Sequence, residues 1–101
     1  MNQMQQMLAQ AQRMQRELQK AEAALAVKEF KVSKNGMVEV TVLGSLEVKE
    51  INIDKDALDP ENAEMLAEAI RLAINEANQQ IAAEKAANEE RITGRAGGFG
   101  F

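Results

Sequence analysis

Asp54, Asp56, Asp59 and Glu61 form a short run of carboxylates, a residue type and spacing that could hold calcium. Counted from Asp54, however, Leu58 stands fifth, Asp59 stands sixth where the loop needs glycine, and Met65 stands twelfth where a bidentate glutamate belongs. The run therefore reads as a solvated, acidic entry to a helix. Ser33 and Ser45 fall in or beside turns with no base available to activate them. The chain has neither histidine nor cysteine, which removes thiolate metal sites, cysteine nucleophiles and the commonest general base. Gly97-Gly98-Phe99-Gly100 is glycine-rich, yet no predicted strand precedes it and no helix follows, so it does not read as a phosphate loop. No enzyme, metal, cofactor or small-molecule substrate is expected.

The cations offer more. Residues 1–36 carry six Lys/Arg against three Glu, residues 37–90 carry four against thirteen acids, and residues 91–101 add two arginines. The formal net charge of −4 is thus the sum of basic ends and an acidic middle, a distribution that leaves room for a polyanion-binding surface. Arg13, Arg16 and Lys20 recur at helical spacing with only Glu17 between them, and Arg91 and Arg95 lie at the other end. These five are the candidate phosphate contacts.

The elements that must position them follow from periodicity. Residues 2–26 lack Pro and Gly and are rich in good helix formers. Met4, Met7, Ala11, Met14, Leu18, Ala21 and Leu25 follow alternating steps of three and four, the seam of a helix lying along another helix. Val38, Val40 and Val42, then Leu46 and Val48, alternate with polar residues, and Phe30 and Val32 suggest a strand before them. Asn35-Gly36 and Gly44-Ser45 suit tight hairpin turns of types I′ and II′. The rhythm slips between Val48 and Ile51, predicting a bulge near Lys49 and Glu50. Asp59-Pro60-Glu61 announces a second helix, whose stripe Met65, Leu66, Ala69, Ile70, Ala73, Ile74, Ala77 and Ile81 could continue to about Ile92. Its length exceeds what three short strands can cover, so its distal part should pair with the first helix.

The fold class is therefore α+β: a long N-terminal helix, a three-stranded antiparallel meander and a long C-terminal helix. We expect one α-β-β-β-α domain over residues 1–93 and a flexible glycine-rich tail over 94–101. Of 101 residues 46% are hydrophobic, but alanine is prominent among them, with three Phe and no Trp or Tyr. So thin a core points to oligomerisation. No apolar run approaches the length of about 20 residues needed to cross a membrane, and the polar start MNQMQQM is unlike a signal peptide, so a cytoplasmic location is expected.

With these motifs in place, the chain resembles the YbaB/EbfC family of bacterial nucleoid-associated proteins. The resemblance is carried by LAQAQRMQRELQKAEAAL, by NGMVEVTVLGSLEVKEINID and by DPENAEMLAEAIRLAINEANQQI, in that order. It implies a tweezer-like homodimer whose helical arms meet double-stranded DNA with little sequence specificity and help organise the nucleoid. Arg13, Arg16 and Lys20, aided by Arg91 and Arg95, would contact DNA. Val38, Val40, Val42, Leu46, Val48 and Ile51 would be buried in part against the partner. The rival reading is a protein-interaction or holdase-like scaffold that uses Met4, Met7 and Met14 on its arms as an adaptable clamp.

Overall fold

The computed structural model describes residues 2–96, with Arg95 and Ala96 described by their backbone alone. Helix α1 spans Gln3–Ala26, strands β1, β2 and β3 span Glu29–Lys34, Val38–Leu43 and Val48–Ile53, and helix α2 spans Ala63–Ala96. Two 3-10 turns, Lys55–Leu58 and Pro60–Asn62, connect β3 to α2. The predicted order is the observed one.

Each boundary has a local cause. Asn2 opens α1 with a reciprocal cap, its Oδ1 accepting from the Gln5 N–H at 2.8 Å while the Gln5 Oε1 accepts from the Asn2 N–H at 3.2 Å. Asn35 and Gly36 both have positive φ, 56° and 66°, as a type I′ turn demands. The second hairpin departs from expectation. Gly44 has no positive φ; the left-handed residue is Leu46, at 79°, and the Leu46 N–H closes the turn on the Leu43 carbonyl at 2.7 Å. The loop is therefore three residues long with its left-handed position last, the commoner geometry for that length. The bulge falls where predicted: Thr41 faces Glu50 and Val42 faces Val48, which leaves Lys49 as the extra residue.

The acidic run proves to be capping chemistry. The Asp54 carboxylate accepts from the Asp56 N–H at 2.8 Å and the Asp59 carboxylate from the Glu61 N–H at 2.9 Å, satisfying donors that a helix start leaves open. Among the described residues, no group of three or more Asp or Glu is placed to hold a metal ion.

The sheet runs β1-β2-β3, all antiparallel. Phe30 and Val32 of β1 and Val38, Val40 and Val42 of β2 lie beneath α2, where they meet Ala69, Ala73, Ala77 and Ile81. Small alanines let the helix axis come close to the sheet, which explains how an alanine-rich stripe makes a core. Only α2 lies on the sheet. Helix α1 joins the core at its last turn, through Leu25, and otherwise runs along the distal half of α2, where Ile92 is buried. Its seam is accordingly graded: Leu25 is buried, Met14, Leu18 and Ala21 are half-buried, and Met4, Met7 and Ala11 are exposed. Gly94 does not end α2, which continues to Ala96. Residues 97–101, in the expected tail, lie outside the described residues.

The two helices form a projecting arm. The radius of gyration is 20.0 Å and the extents are 71 × 23 × 14 Å, whereas a compact chain of this length has a radius of about 13 Å.

Candidate nucleic-acid interface

Four cations are held in ion pairs among the described residues. Lys28 pairs with Glu84 at 2.6 Å, Lys34 with Glu76 at 3.2 Å, Lys49 with Glu29 at 3.0 Å and Arg71 with Glu68 at 3.5 Å. Lys28 and Lys34 thus spend their charge on the acidic helix α2, and the basic N-terminal third is less available to a polyanion than its composition suggests. Lys28 also stands 5.3 Å from the centre of the Phe30 ring, a cation–π contact that fixes it further.

Arg13, Arg16 and Lys20 behave differently. All three are exposed, and none forms an ion pair among the described residues. At about 100° per residue they share one narrow stripe of α1, on the side opposite Met14, Leu18, Ala21 and Leu25. That side of the seam faces α2, so the basic stripe must face outward along the arm. From Arg13 to Lys20 it rises about 10 Å along the helix axis.

Arg91 is also exposed, and it donates to the Asn88 Oδ1 at 3.2 Å. A small hollow between the helices is lined by Leu18, Ala21, Glu22 and Leu25 of α1 and by Lys85, Asn88 and Glu89 of α2. This antiparallel register puts Arg91 level with Arg16. Four of the five predicted contacts therefore lie on the arm; the side chain of the fifth, Arg95, lies outside the described residues.

The family profile of the YbaB/EbfC DNA-binding family matches residues 1–96. The chain belongs to that family. It is 39% identical over 96 residues to a nucleoid-associated protein of Ruminiclostridium cellulolyticum, covering 92% of this chain and 82% of that one. A nucleoid-associated protein of Enterococcus faecalis is 37% identical over 100 residues, covering 98% and 96%. One from Lachnospira eligens is 44% identical over 80 residues, covering 78% and 69%. As a member of a nucleoid-associated DNA-binding family, the chain carries the aligned cations Arg13, Arg16 and Lys20 on a helical arm. No helix among the described residues is long and apolar enough to cross a membrane.

The apolar residues predicted for a subunit interface are placed less uniformly. Val38, Val40 and Val42 are 4%, 0% and 0% exposed within a single chain. They are taken by α2, and a partner cannot reach them. The sequence shows that these valines share one face but not which layer covers that face. Leu46, Val48 and Ile51 are exposed, as is Ile53, which the predicted set lacks. Val48, Ile51 and Ile53 pair across β2 with Val42, Val40 and Val38, so they extend the core face beyond the helix that covers it. Helix α2 packs on β1 and β2 but hardly reaches β3. Its flank toward β1 is marked by Glu76 and Glu84, which hold Lys34 and Lys28. Helical geometry puts Ile70, Ile74 and Asn78 on the other flank, beside β3. Ile70 and Ile74 are only partly buried, and the buried Asn78 Oδ1 has no hydrogen-bond partner. The signal that could have added Ile53 is its alternation with Ile51.

Proposed function

We propose that this chain acts as a non-enzymatic homodimer that binds double-stranded DNA along its helical arms with little sequence specificity, within the cytoplasmic nucleoid, and so helps compact DNA and influence gene expression. The observation that carries this reading is the stripe of Arg13, Arg16 and Lys20, three exposed cations aligned on the outward side of one helix and free of ion pairs among the described residues. Duplex DNA presents one negative charge per about 1.7 Å, and guanidinium and ammonium groups on a rigid helix contact phosphates without reading bases. Low specificity follows from that chemistry.

The dimer is supported by the uncovered face on β3. Val48, Ile51 and Ile53, with Ile70 and Ile74 beside them, continue a hydrophobic core into solvent, a surface that a two-fold partner covers. Two copies joined there double the number of arms and of phosphate contacts. If the dimer neutralises about six phosphates, the slope of log affinity against log salt is near −5.

A labelled duplex titrated at two salt concentrations tests the proposal. Binding at low salt that falls steeply at high salt supports it; binding that is absent at low salt, or indifferent to salt, overturns it. One observation favours the scaffold reading instead: Met4, Met7 and Leu8 are 70%, 63% and 58% exposed. That reading requires binding to polypeptides that survives high salt, since apolar contacts are not screened.

A further inference from the structure

Helix α2 carries a stripe that matches the basic stripe of α1 in spacing and opposes it in charge. Glu61, in the 3-10 turn that leads into α2, and Glu64 and Glu68, at the start of the helix, follow steps of three and four, as do Arg13, Arg16 and Lys20. All six residues are exposed. Among the described residues Glu61 and Glu64 form no ion pair, and Glu68 meets Arg71 at 3.5 Å with both side chains largely exposed. At about 100° per residue, Glu64 and Glu68 lie opposite Ala69, Ala73 and Ala77, which α2 lays on the sheet, so these acids face away from it. The two stripes are out of reach of each other within one chain. Glu89 lies level with Leu18, which leaves Lys20 about 28 Å from Glu68 along the axis of α2.

We propose that the basic stripe of one copy docks on Glu61, Glu64 and Glu68 of another, and that this acidic face and duplex DNA compete for the same three cations. Both partners are outward sides of helices, so neither subunit has to open to make the contact. Each stripe covers about 10 Å of helix, and the equal steps bring three cations against three acids. Residues 54–76 carry seven acids against two bases, so the surroundings of the face attract a cationic helix as well. Met65, 57% exposed, stands between Glu64 and Glu68; the aliphatic stems of arginine and lysine cover it while their charged ends reach the acids. Every copy carries one stripe and one face, so the contact is heterologous and passes from copy to copy. It is also weak, because exposed ion pairs contribute little each, whereas duplex DNA offers one charge per about 1.7 Å. DNA therefore displaces the acidic face, and protein without DNA keeps its cations covered. The competition rests on the reading of Arg13, Arg16 and Lys20 as the DNA-binding stripe; the contact between copies does not.

Sedimentation velocity of the full chain tests the contact. At low salt and without DNA, the wild type sediments faster as its concentration rises, and either high salt or an added short duplex reverses the effect. The variant Arg13→Glu/Arg16→Glu/Lys20→Glu and the variant Glu61→Lys/Glu64→Lys/Glu68→Lys each lose this association, since like charges then meet. Mixed in equal amounts they associate again, because the acidic stripe of the first meets the basic face of the second. The milder Glu61→Gln/Glu64→Gln/Glu68→Gln variant also loses the association, and circular dichroism checks that each variant is folded. A wild type whose sedimentation ignores concentration and salt overturns the proposal, as does association that survives the glutamine substitutions. If that wild type still binds duplex DNA, the DNA-binding reading stands without this contact. Association that the duplex leaves intact overturns the competition.

Discussion

Gly44 sits directly against the main chain of Leu25. A Cβ built on Gly44 falls inside the Leu25 carbonyl and 3.0 Å from the Leu25 Cγ, so no larger residue fits without moving the helix or the hairpin. The contact is held by hydrogen bonds on both sides: the Gly44 N–H donates to the Lys28 carbonyl at 2.9 Å, and the Ser45 N–H donates to the Ala26 carbonyl at 3.2 Å. The β2–β3 loop thereby caps the Ala26 carbonyl that the end of α1 leaves open, and the joint fixes the arm's direction relative to the sheet.

Gly44→Ala should therefore destabilise the protein by about 1–3 kcal/mol, the cost of forcing extra volume into a packed site. Urea unfolding followed by circular dichroism measures it. A midpoint equal to that of the wild type would show that the joint yields freely.

Replacing Arg13, Arg16 and Lys20 together with alanine should weaken binding to duplexes of unrelated sequence by about the same factor and flatten the salt slope. Fluorescence anisotropy on two unrelated duplexes measures both. A loss confined to one sequence would contradict backbone recognition.

Lys28→Ala should change duplex affinity much less than Arg13→Ala does, because Glu84 already holds the lysine charge at 2.6 Å. Its cost in stability should be under about 1 kcal/mol, since both side chains are partly exposed. Parallel titrations of the two variants decide the first point, and comparable losses from both would remove the distinction between paired and free cations.

Ile51→Glu with Ile53→Glu should produce a folded monomer. Both residues are about 40% exposed in one chain, so charge there is tolerated by the subunit but not by an apolar interface. Sedimentation equilibrium at micromolar concentration reads the mass, and circular dichroism reads the fold. A wild-type protein already monomeric under these conditions, or a variant that stays dimeric, would place the interface elsewhere or nowhere.

Much of the local structure was legible in the chain. The step pattern from Met4 to Leu25 encodes α1, the alternation from Val38 to Val42 encodes β2, Asn35-Gly36 encodes its turn, and the slip between Val48 and Ile51 encodes the bulge at Lys49. These features depend on neighbours a few residues away, where helical and strand periods act directly on side-chain direction. The Gly44 loop was legible only in part, because the same glycine serves a turn's φ in one geometry and a close approach in another.

The sequence by itself determined the elements, their order and the stripe of Arg13, Arg16 and Lys20, since one helix suffices to align that stripe. The tertiary structure alone decided which apolar residues α2 covers, which leaves Val48, Ile51 and Ile53 outside while Val38, Val40 and Val42 are inside. It likewise decided which lysines are spent: Lys28 meets Glu84 across 56 positions of sequence. The physical reason is the same in both cases. Burial and charge pairing are set by distance in space between segments remote in the chain, and no periodicity within one segment records what another segment will bring to it.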